Sequence, residues 1–347
     1  MRKIITLDQT PNIGIFDPAE GGVFLRTDQV RFPKLKQLWE QSLALFWTVK
    51  MVDFTKDSAG YKTLPPVAQR MFNLTNGYQS LMDSGVVGIY NHLALLTNNV
   101  EVALSYQQIA FAETIHATSY SEGLVQMLGH EAEAVINIVY TDPVVRTRLA
   151  SEIKITDNLI ENPTVQNIYH TIVATYLLEA IKFPFSFFVT FSINKGYNNA
   201  INGFNQLISR ISQEELDIHV PTNKLVIKQM IKDYNLDINL IKKTADTLLE
   251  QELKWNKYLQ QDGPIPGYNE AIGEEMIRYF HNKALRDVGY KDIETIKPTT
   301  FVTWFNHYRD PDTKQVSQQE MKSTQYQKGV MRNDLHLLDT PKEDNGE

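Results

Sequence analysis

The run AFAETIHATSY sets Glu113 and His116 three residues apart, with Tyr120 four further on. Positions three and four apart share a face of an α-helix, so a carboxylate, an imidazole and a phenol line up along one stripe. Ile109 lies one turn earlier on that stripe, which turns it toward the interior. A buried carboxylate beside an imidazole is costly unless something pairs them, and a metal ion would do so. The segment calls for a long helix with a polar inner face.

The chain of 347 residues is long enough for one large domain or two ordinary ones, and its 42% hydrophobic residues allow a sizeable core. A net charge of −7 gives no basic footprint for nucleic acid. The N-terminus, MRKIITLDQT, carries no apolar signal region. The longest apolar stretch, about Phe183 to Ile193, is too short to span a bilayer. The expectation is a cytoplasmic protein with neither a nucleic-acid nor a membrane partner. Cysteine is absent, so thiolate metal sites and thiol catalysis are excluded and any metal must be held by His, Asp and Glu. Such donors suit iron, manganese or zinc.

Along the chain, residues 1–30 read as an irregular N-terminal arm rich in Gly and Pro, 31–309 as one domain of long helices, and 310–347 as a polar, mobile tail. Leu35, Leu38, Trp39 and Phe46 recur with helical period after Pro33. The segment DFTKDSAGYKTLPP reads as a loop, and Pro65 and Pro66 open a helix that carries Asp83 near its end. Further helices are expected over about 101–128, from Asp142-Pro143, after Pro163 to about Ile193, through ISRISQEELDIHV, and over about 238–259 and 269–288. Pro184 predicts a kink or local break. No strand alternation, phosphate loop or repeat is evident, so the fold class is all-α.

Helix-bundle di-metal proteins take one carboxylate from each of two helices and a Glu-x-x-His pair from each of two others. Here Asp83, Glu113 with His116, Glu179, and a Glu with His219 fall in order on different expected helices. The last pair departs from the pattern, because the residue three before His219 is Leu216. Glu215 precedes His219 by four. An i,i+4 pair still shares a face, and a π-bulge would absorb a one-residue insertion. Glu215 is the expected ligand and Glu214 the alternative; Asp217 falls on the wrong side.

These residues resemble the small, radical-generating subunit of class I ribonucleotide reductase, from about Val23 to Tyr326. LFW at 45–47, SLMDS around Asp83, AETIHATSY, LEAIKFPFSF and KWNKYLQQDGPIPGYN carry the resemblance in order. It implies a ferritin-like helical bundle with additional helices and a di-nuclear centre, of iron or alternatively manganese. Asp83, Glu113 and His116 would bind one end, and Glu179, Glu215 and His219 the other. It also implies a tyrosyl radical on Tyr120, an apolar wall of Phe183 and Phe187 around it, electron passage through Trp47, and relay through the tail residue Tyr326 to a large subunit that reduces ribonucleotides. A homodimer is implied as well. The tail departs from the family's apolar ending: it closes TPKEDNGE, and Leu335, Leu337 and Leu338 are the expected docking element. The alternatives are another ferritin-like di-metal oxidase acting on a small organic substrate, an iron store, and a metal-free interaction protein.

Overall fold

The computed structural model describes residues 14–16, 30–291, 293 and 296–309. Apart from 14–16 and residue 30, the expected arm lies outside these residues, as does the 310–347 tail with Tyr326, Leu335, Leu337 and Leu338. Among the described residues the chain is all helix and loop, with one isolated bridge between Ile265 and Tyr268.

In chain order the helices are α1 Pro33–Ala44, α2 Asp57–Thr63, α3 Pro66–Leu96, α4 Val100–Leu128, α5 Ala132–Ile136, α6 Ile138–Thr141, α7 Pro143–Glu161, α8 Val165–Leu177, α9 Phe183–Gly196, α10 Asn202–Glu214, α11 Val220–Tyr234, α12 Asn239–Leu259, α13 Glu270–Asp287 and α14 Thr300–Arg309. Their starts follow local chemistry. Pro33, Pro66 and Pro143 occupy first-turn positions, where a missing N–H costs nothing. Asn99 and Asp142 cap α4 and α7 by accepting from Val102 N at 2.9 Å and from Val144 N at 2.8 Å. α3 packs along α4 and against α9, and α10 lies against α4 and α9. Gly77 permits α3 to meet α5, since a Cβ there would stand 2.3 Å from the Val135 carbonyl.

Two π turns interrupt the bundle. Leu178–Lys182 joins α8 to α9, and Glu215–His219 joins α10 to α11. Phe183 N–H donates to the Leu178 carbonyl and Val220 N–H to the Glu215 carbonyl, each five residues back. In both cases a proline, Pro184 or Pro221, follows at the second position of the next helix. The expected break at Pro184 is therefore a widened turn just ahead of it rather than an end of the helix.

Two expectations are corrected. The 53–66 loop contains α2, whose one large apolar anchor, Tyr61, is too little to show a period. Asp57 at its start also accepts from Gly203 N at 3.0 Å and Phe204 N at 2.6 Å, capping α10. Second, Val165–Gly196 runs as 32 helical residues, long and apolar enough by composition to cross a membrane. Its most apolar window is 94% buried in the protein, so it is the core helix. Phe183, Phe185, Phe187, Phe188 and Phe191 are all fully buried, each stabilising the fold by about 1.5–3 kcal/mol.

A second buried polar cluster braces the first π turn. Arg148 forms a bidentate pair with Glu252 at 2.8 and 2.7 Å, its guanidinium 3.8 Å from the Tyr78 ring centre. Lys182, at the end of that turn and wholly buried, pairs with Glu152 and donates to the Arg148 carbonyl at 3.3 Å.

Candidate metal centre

α3 brings Asp83, α4 brings Glu113 and His116, the first π turn brings Glu179, and the second brings Glu215 and His219. All six are at most 1% exposed. Among the described residues they form two overlapping groups able to hold a cation, Asp83–Glu113–His116–Glu215 and Glu113–Glu179–Glu215–His219, with the ligand atoms of each group within 4.8 Å of one another. Glu113 and Glu215 belong to both and stand between the imidazoles. Glu113 is 3.3 Å from His116 Nδ1 and 3.2 Å from His219 Nδ1; Glu215 is 3.5 and 3.3 Å from the same atoms. Asp83 lies 4.0 Å from His116 Nδ1, and Glu179 lies 3.8 Å from His219 Nδ1. The two rings are 5.7 Å apart.

The donor chemistry fits a pair of cations. Asp83 Oδ2, both oxygens of Glu113 and Glu215, and Nδ1 of both histidines are buried with no hydrogen-bond partner. Buried polar atoms are rarely left so, and carboxylates with imidazoles are hard and borderline donors suited to iron or manganese. His116 is also oriented from behind. Its Nε2 lies 2.7 Å from Glu214 Oε2; with the proton on that nitrogen, the neutral ring offers its Nδ1 lone pair to the cluster.

The charges strain against one another without a cation. Burial, and then the neighbouring Glu113 and Glu215, push Asp83 well above the usual carboxylate range. Burial and Glu215 do the same to Glu179. Burial alone would lower His116, but the close carboxylates of Glu113, Glu214 and Glu215 hold it well above the ordinary imidazole value. Burial opposes His219 in the same way and loses to Glu215 and Glu113. Burial would raise Glu113, yet the two histidines beside it bring it down.

Around the cluster, Glu214 does not join the acids. Its Oε2 accepts from Trp47 Nε1 at 2.9 Å as well as from His116, and the Trp47 ring stacks on His116 with centres 6.2 Å apart. Asp217 faces away and pairs with Arg309 at 3.0 Å. Tyr120 is wholly buried and its hydroxyl has no partner; burial, then Asp83, Glu215 and Glu113, raise its pKa well above normal. The ring meeting Tyr120 is Phe204, at 6.2 Å, while Phe183 and Phe187 pack on one another at 6.0 Å. The sequence reading missed Glu214's linking position, Phe204, and two residues at the His219 end, Tyr90 and Asn223. Tyr90 follows Asp83 by seven and Asn223 follows His219 by four, so helical spacing alone carried a signal for both.

Helices that converge buried acids and histidines on one axis define the class of di-metal carboxylate bundle proteins. The profile described as "Ribonucleotide reductase, small chain" matches residues 26–295, and the chain belongs to that family. The chain is 24% identical to "Ribonucleoside-diphosphate reductase 1 subunit beta" of Escherichia coli O157:H7, covering 96% of this chain and 97% of that one. It is 26% identical to the corresponding beta subunit of Halalkalibacterium halodurans, covering 94% and 95%. Among solved structures it resembles the ribonucleotide reductase R2 subunit from Clostridium botulinum, with TM-score 0.78, 18% identity, and 86% and 94% of the two chains covered. The Streptococcus sanguinis dimanganese(II)-NrdF gives TM-score 0.64 at 19% identity, covering 81% and 98%. The fold is the ferritin-like helical bundle of these small subunits.

Proposed function

We propose that this small subunit of ribonucleotide reductase uses its buried acid–histidine cluster as a di-metal centre and Tyr120 as the seat of a stable radical. The observation that carries the reading is the set of partnerless ligand atoms on Asp83, Glu113, His116, Glu215 and His219, packed beside a phenol with no hydrogen-bond partner. Asp83, Glu113, His116 and Glu215 hold one ion; Glu113, Glu179, Glu215 and His219 hold the other. When bound, the ions supply an oxidant from dioxygen. Iron is the first candidate, and manganese accepts the same donors.

The chain's own groups do the rest. Tyr120 would give one electron and its phenolic proton to that oxidant, and its full burial keeps water and solvent reductants from the resulting radical. Glu214, bonded to both Trp47 Nε1 and His116 Nε2, holds a continuous path for charge between the indole and the ligand. From there the tail, through Tyr326, passes the radical to a large subunit that reduces ribonucleotides to deoxyribonucleotides. The polar tail 310–347 docks that subunit, residues 31–309 form the catalytic domain, and two chains pair. Half-exposed Phe46, two residues past the end of α1, and Phe111 on α4, stacked at 6.2 Å, give the pair an apolar face.

The test is electron paramagnetic resonance after reconstitution with iron, or with manganese and an activating flavoprotein. The expected result is a tyrosyl signal that vanishes in Tyr120→Phe while metal content is retained. Loaded protein with no radical signal under either regime refutes the reading and favours an oxidase acting on a small organic substrate.

A further inference from the structure

The acids of the cluster are not held alike. The oxygens of Glu113 and Glu215 have no hydrogen-bond partner, but Glu179 is gripped on both sides. The Tyr90 hydroxyl donates to Glu179 Oε1, and the Asn223 amide donates to Glu179 Oε2 at 3.0 Å. The same amide donates to the Tyr90 hydroxyl at 2.6 Å, closing a three-membered ring of bonds. Tyr90 and Asn223 are fully buried, and the Tyr90 ring lies 6.2 Å from His219 and 5.4 Å from Tyr106. Tyr106 is equally buried, but its hydroxyl has no partner.

A carboxylate offers about four lone-pair positions on its two oxygens. Tyr90 and Asn223 each occupy one, on different oxygens, so Glu179 can rotate only by breaking a buried bond. Both donors are neutral, so they orient the carboxylate without cancelling its charge. Partners of this kind fix ligand orientation and typically account for 10–100-fold in metal affinity. Among the described residues, Asp83 Oδ2, on the one carboxylate that belongs to the His116 end alone, has no hydrogen-bond partner.

We propose that Tyr90 and Asn223 are positioning residues that clamp Glu179 and set the affinity of the ion at the His219 end, independently of the ion at the His116 end. The proposal rests on the di-metal reading above. It makes the two ion sites unequal by construction, with the clamp as the adjustable part.

Manganese(II) titration of the metal-free full-length protein, read by electron paramagnetic resonance of free manganese and of the coupled pair, tests it. Wild type is compared with Tyr90→Phe, Asn223→Ala and, as a control for packing, Tyr106→Phe. The expected result is two ions in wild type, one binding step weakened about 10–100-fold in Tyr90→Phe and Asn223→Ala with the other unchanged, and wild-type behaviour in Tyr106→Phe. Two ions in wild type with both steps unchanged in both clamp variants overturns the clamp alone. So does equal weakening of both steps in all three variants, which is general core damage. A wild type that takes up no manganese overturns the di-metal reading and the clamp with it.

Discussion

At the scale of single residues, the cluster is a set of buried charged groups that the fold holds together at a cost. Asp83 and Glu179 sit well above the usual carboxylate range, and His116 and His219 above the usual imidazole range. A group with a raised folded-state pKa keeps its proton in the folded chain when the unfolded chain has released it. Stability then falls as pH rises through that interval. Glu113, held low by both histidines, acts in the opposite sense, but it is one group against four. Metal-free protein should therefore lose stability to urea as pH rises from about 6 to about 8. Loading with manganese should remove or invert that slope, because the ions replace those protons. Urea midpoints with and without manganese check this, and a metal-free midpoint that rises with pH contradicts it. Glu214 shows what a residue list cannot convey. Side by side with Glu215, it was a rival ligand on paper; one position along the helix turns its carboxylate to Trp47 and to the far nitrogen of His116.

At the scale of elements, the two π turns decide which acids reach the axis. The Glu215–His219 spacing of four was readable as an insertion needing a widened turn, and the structure has that turn. The Glu179 turn was visible only as a disturbance around Pro184, because proline reports a lost backbone bond without saying whether the helix ends, bends or widens. Lys182 gives that turn a firm base, with its ammonium group sunk against Glu152 and the Arg148 carbonyl. The long helices α4, α12 and α13 were legible because their apolar residues keep one period over many turns; of α3 only the first part was, since Asp83, expected near its end, sits mid-helix in a helix that runs to Leu96. α2 was not, having a single large anchor, and neither was α14, which is only ten residues long. One ring beside the phenol was out of reach of the sequence for a related reason. Phe183 and Phe187 share a helical spacing that can be read locally, whereas Phe204 reaches Tyr120 from α10, across 84 positions of sequence, and no local pattern encodes that distance.

At the scale of the whole molecule, most of the buried chemistry of the described residues points inward, and in the proposal above the docking of the large subunit falls to the tail. Leu335, Leu337 and Leu338 are its apolar residues nearest the end, ahead of the charged close TPKEDNGE. A chain truncated after Leu338 should bind the large subunit as tightly as the full chain, and one truncated before Leu335 should not; loss of binding in the first contradicts that assignment. The account as a whole depends on where the ions sit. The most direct measurement is anomalous diffraction at the iron or manganese edge from crystals of the loaded protein. It should show two peaks, one contacted by Asp83, Glu113, His116 and Glu215 and one by Glu113, Glu179, Glu215 and His219, with Glu214 still on Trp47. No peaks, a single peak, or Glu214 taking the place of Glu215 as ligand would contradict it.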